Sequence, residues 1–139
     1  MDNLLVVVQS GATERARLQD AGRMERQLHA AGAPYAVLVY LSDQTSVPDD
    51  EDRKAISGLM QQASPDATGM AVVLAGTGFF AAAMRGVGTA ISTLSGHPMP
   101  FYRTLDDALA SLSEALDGDL PDAVDIKALV ERRAAFDEA

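Results

Sequence analysis

Three short, uninterrupted apolar runs constrain this chain most: Leu4–Val8 (LLVVV), Tyr35–Leu41 (YAVLVYL) and Met70–Ala75 (MAVVLA). None alternates apolar with polar residues, so each reads as a strand buried on both faces, the pattern of a parallel sheet covered by helices. The intervening segments have helical spacing. Leu18, Ala21, Met24, Leu28 and Ala31 mark a stripe in a helix over 13–31, which Gly32 and Pro34 stop. Ala55, Ile56, Leu59, Met60 and Ala63 mark a second helix, with Pro48 at its first position and Asp49, Asp50, Glu51 and Asp52 in its first turn. A third helix covers Phe79–Leu94, and Met99–Arg103 is a short fourth strand. Thr104 caps a fourth helix, with Asp107 three residues on as an imperfect capping box. Its apolar face is Leu105, Ala108, Leu109, Leu112, Ala115 and Leu116. The strict alternation predicts an α/β fold: a small mixed, mostly parallel sheet of four or five strands with covering helices. One domain spans 1–118. Residues 119–139 form an acidic C-terminal tail whose weak stripe, Ile126, Leu129 and Val130, marks a short, loosely docked helix or a disordered end.

Charge narrows the function classes. The 139 residues carry a net charge of −9, and seven acids lie between Asp106 and Asp125 with no base among them. That balance argues against nucleic acid and against an anionic membrane surface. No cysteine is present, so thiol nucleophiles, disulfides and thiolate metal sites are excluded. The N-terminus MDNLLVVVQSG opens with an acid and too short an apolar run for a signal peptide, and no run has membrane-spanning length. The expectation is a cytoplasmic protein without membrane insertion.

The stretch YLSDQTSVPDDEDR, from Tyr40 to Arg53, joins a strand end to a helix start, where α/β proteins often keep their binding atoms. Asp43, Ser46, Asp49 and Asp50 are its candidate partner-binding residues; the plainer reading is that the acids only cap the helix. Gly76-Thr77-Gly78-Phe79-Phe80-Ala81 has the form G-x-G-x-x-A between a strand and a helix. Too few elements follow it for a dinucleotide fold, and Phe79 and Phe80 put bulk in the first turn. Thr77 and Gly78, with Arg85, are retained as a weak anion or small-ligand site. His29 and His97 are far apart and show no metal spacing. No G-x-S-x-G elbow is present. Neither a cofactor nor catalysis is expected. Arg15, Arg17, Arg23 and Arg26 share the first helix with Glu14, Asp20 and Glu25. This mixture reads as a solvated face, or as a docking strip for an acidic partner or for the chain's own acidic tail.

The helix FFAAAMRGVGTAISTL holds one charge, Arg85, and two mid-helix glycines, Gly86 and Gly88, each costing about 1 kcal/mol against Ala. Close approach of another backbone is the usual compensation. One face packs on the sheet, and Phe80, Met84, Val87 and Ile91 are expected on the other, available to a second copy in a homodimer; the competing reading has tail residues such as Leu129 and Phe136 cover them.

PYAVLVYLSDQTSVPDDEDRKAISGLM, GMAVVLAGTGFFAAAMRGVGTAIS and PMPFYRTLDDALASL together resemble a SpoIIAA-like domain of the STAS superfamily, in its bacterial STAS/SEC14-like branch. The resemblance covers roughly 4–116. It implies a mixed sheet packed on helices and a non-enzymatic role in signal transduction through protein–protein contact. Many relatives carry an Asp-Ser-Ser-Gly-type loop whose serine is phosphorylated. Here acids fill the matching position near Asp49 and Asp50, and Ser42, Thr45 and Ser46 fall out of register, so the phospho-switch is not carried over. The family also implies an extra strand before Leu4, where this sequence has only Met1-Asp2-Asn3; either that strand is absent or the sequence begins after it, and its loss would leave an uncovered sheet edge that favours dimerisation. The chain is therefore expected to be a cytoplasmic interaction module without enzymatic activity, homodimeric, with a lipid- or small-molecule-binding module as the alternative.

Overall fold

The structure, a computed structural model, describes residues 3–9, 15–42, 49–55, 67–75, 78–95 and 100–138. Strand β1 (Leu4–Gln9) is followed by α1 (Arg15–Ala30) and β2 (Ala36–Leu41). Residues 50–55 are helical (α2). Then come β3 (Gly69–Leu74), α3 (Gly78–Ser95), β4 (Phe101–Tyr102), α4 (Leu105–Ala115) and α5 (Ala123–Glu138). The four strands lie in the order β1-β2-β3-β4, and every neighbouring pair is parallel. The fold is thus α/β, as the apolar runs require, with a small sheet that is parallel throughout its described strands. Among the described residues no helix is long and apolar enough to cross a membrane.

Right-handed crossovers between sequential parallel strands put their connecting helices on one face. The side chains follow that rule. Leu5 and Val37 pack with Leu28 of α1, and Val72 and Leu74 pack with Met84 of α3. The alternate strand residues Leu4, Val8, Ala36, Leu38, Ala71 and Val73 point to the opposite face. There they meet Ala108, Leu109 and Leu112 of α4 and Ile126 and Val130 of α5. The result is three layers, with the sheet buried on both sides.

Residues 119–139, read from sequence as an acidic tail with a loosely docked helix or a disordered end, contribute Ile126 and Val130 to this core. Ile126 and Val130 rank among the largest fully buried side chains, so α5 is docked against β1 rather than loosely attached. It covers the face opposite α3, and Leu129 turns toward β1 instead of shielding α3. The helix ends follow their local chemistry. Gly32, at φ 81°, takes the left-handed conformation just past α1. The Thr104 hydroxyl accepts from the Asp107 amide at 3.1 Å and caps α4.

Helix α3 departs from the reading of its faces. Met84, Val87 and Ile91 are only 5%, 6% and 2% exposed, because this stripe is the one that packs on the sheet. The outward face is Ala82, Arg85, Gly86, Thr89 and Thr93. The hydroxyls of Thr89 and Thr93 donate to the carbonyls of Arg85 and Thr89, each at 3.0 Å. The helix thus has a water-compatible face that carries one charge, Arg85, among its described residues. Its glycine at 88 accommodates the chain's own Phe101: a methyl there would lie 2.2 Å from the ring.

Candidate functional site

Because all four strands are parallel, their C-terminal ends share one edge, and each following helix starts there. Three of these junctions are described in part. After β2, Ser42 is buried, and its amide donates to the Gln9 carbonyl at 3.0 Å. Asp43 and Ser46 lie outside the described residues. The chain is described again at Asp49, which precedes the helix instead of forming part of it. Its carboxylate accepts from the Asp52 amide at 2.8 Å, and its carbonyl accepts from the Arg53 amide at 2.9 Å. Asp49 is therefore the cap of α2, and the helix begins at residue 50; Pro48, read from sequence as its first position, lies outside the described residues. The neighbouring Asp50 carboxylate is 3.6 Å from the Arg53 guanidinium and projects into solvent. An exposed pair of this kind contributes little to stability.

After β3, the Ala75 amide donates to the Leu41 carbonyl at 3.0 Å. Thr77 and the side chain of Phe80 lie outside the described residues, while Gly78 opens α3. Arg85 follows seven residues later, about 10 Å along the axis at 1.5 Å per residue. It is exposed on the outer face and so does not converge with Gly78 on one anion. Met84, Val87 and Ile91 are core residues, which removes them from any docking face. After β4, Arg103, Asp106 and Asp107 are exposed at the start of α4, and Lys127 of α5 pairs with Asp106. Asp49, Asp50 and Asp107 therefore bring carboxylates to the starts of two helices along this edge.

The sequence reading missed a buried polar contact. Glu25 is buried in α1, and the Tyr35 hydroxyl donates to its Oε2 at 3.0 Å. Met24, assigned to the apolar stripe, is instead 48% exposed. The signal was in the spacing: Leu18, Ala21, Glu25 and Leu28 follow the 3.6-residue period more closely than the set containing Met24. The hydrogen bond is what permits a carboxyl group on that stripe.

Comparison with protein-family models, with curated proteins and with solved structures finds no match.

Proposed function

We propose that this chain is a non-catalytic regulatory module, STAS-like in architecture, that acts in the cytoplasm by protein–protein recognition. In this reading it forms a homodimer and docks a signalling partner at the C-terminal edge of its sheet. The supporting observation is the exposed carboxylate edge. The parallel sheet delivers successive helix starts to one side of the molecule, and Asp50 and Asp107 are exposed there, Asp50 beside the Arg53 guanidinium. A partner with a basic surface complements that edge. The alternative, a lipid or small-molecule site beneath α3, would need the space that Met70, Met84 and Phe101 occupy.

The test is affinity capture from the native cell with the wild-type chain and with Asp50→Asn/Asp107→Asn. These substitutions remove charge and keep shape. The expected result is a retained protein that the neutral variant loses while its thermal unfolding is unchanged. Equal retention by both forms, or no specific retention by either, contradicts docking at this edge.

A further inference from the structure

The two edges of the sheet are built differently. The β4 edge is blunted: that strand has two residues, with Pro100 before it and Arg103 after it. Short length, proline and charge are the usual guards against unwanted strand pairing. The β1 edge has none of them. It runs six residues, LLVVVQ, with no charge and no proline, and no described strand lies beyond it.

The outward hydrogen-bonding groups of β1 can be assigned. The Asn3 carbonyl accepts from the Ala36 amide at 2.9 Å, and the Gln9 carbonyl accepts from the Ser42 amide at 3.0 Å. Residues 3, 5, 7 and 9 therefore face β2. By the alternation of a strand, the amides and carbonyls of Leu4, Val6 and Val8 point away from the sheet. A groove of about 330 Å³ runs along this edge, walled by α1 with Arg17, Asp20 and Met24 and by α5 with Leu129 and Arg133. Met24 is one of the exposed large hydrophobic residues.

Charge identifies the occupant. Helix α1 starts beyond the C-terminal end of β1 and runs back along it, which sets Arg17 at that end. Helix α5 starts four residues after Asp119, whose carbonyl accepts from the Asn3 side chain at the N-terminal end of β1. Ten residues into α5, Arg133 lies toward the C-terminal end. Arg17 and Arg133 thus stand toward one end of the groove, with Asp20 one turn from Arg17, and the exposed Asp117 and Asp119 lie toward the other.

We infer that β1 pairs antiparallel with β1 of a second copy, joining two four-stranded sheets into one of eight strands across a twofold axis at Val6. This deepens the homodimer in the proposed function and rests on that reading. Val6 faces its own counterpart, and Leu4 faces Val8 of the partner copy. The two strands exchange the outward amides and carbonyls of all three residues. The same twofold brings Arg17 and Arg133 of each copy against Asp117 and Asp119 of the other, so the charge match occurs twice.

Sedimentation or native mass measurement tests this. The wild-type chain is expected at twice the 14.6 kDa of one chain. Val6→Pro removes an outward amide and leaves the β1–β2 ladder intact; it is expected to sediment as a folded monomer. Arg17→Glu and Asp119→Lys are each expected to weaken the dimer by about tenfold or more, and together to restore it. The charge exchange decides the question if the proline variant does not fold. A wild-type monomer overturns the pairing, whatever other strand then docks on β1, and so does a dimer indifferent to all these substitutions. Either result leaves the capture experiment on Asp50 and Asp107 standing on its own.

Discussion

Gly88 and Gly86 sit two residues apart in α3 and answer the same question in opposite ways. A methyl group at Gly88 would meet the Phe101 ring at 2.2 Å, whereas one at Gly86 would meet nothing within 4 Å. Gly88→Ala is expected to cost about 1–3 kcal/mol through overpacking. Gly86→Ala is expected to gain up to about 1 kcal/mol, since only the glycine's backbone freedom is lost. Urea unfolding of the two variants checks the opposite signs. From sequence, both glycines pointed to a close contact, but not to whose atoms made it. The residue that fills the space at 88 is thirteen positions away on β4, a separation that helical periodicity does not reach. Asp49 was more legible, since an acid at a helix start has one common local cause. Asp49→Ala is expected to cost about 1 kcal/mol in the same assay.

At the scale of elements, the apolar runs were read from sequence nearly to the residue, because a strand buried on both faces leaves an unbroken signature. The orientation of α3 was not. Phe80, Met84, Val87 and Ile91 form one stripe at helical spacing, but a stripe does not state what it faces. Counting Ala, Gly and Thr as apolar hid the polar face, where threonine hydroxyls bond back to the helix's own carbonyls. The tail was undervalued for a related reason. Helix α5 reaches the core through a narrow footprint, Ile126 and Val130, so its pattern is weak although its burial is complete. Ile126→Ala is expected to destabilise the whole domain by about 2–5 kcal/mol, the range for a buried aliphatic cut back to alanine. Denaturant unfolding followed by circular dichroism would show it as a shift of one cooperative transition. A separate early transition for the tail, with the main one unmoved, would contradict the shared core.

For the whole molecule, a parallel four-stranded sheet buried on both faces leaves the edges of the sheet as its informative surfaces. One edge gathers helix starts and carboxylates. The β4 side is closed to pairing, and the β1 side offers the outward groups of Leu4, Val6 and Val8, with Arg17 and Arg133 toward one end and Asp117 and Asp119 toward the other. The run LLVVV was visible in the sequence, but its place at the sheet's rim depends on strand order, which local patterns do not encode. Amide hydrogen exchange along β1 tests the account most directly. Leu5 and Val7 donate into the β2 ladder and are expected to be protected at every concentration. Leu4, Val6 and Val8 are expected to be protected when the protein is concentrated and to exchange quickly on dilution or in Val6→Pro. Rapid exchange of these three amides at all concentrations would contradict it.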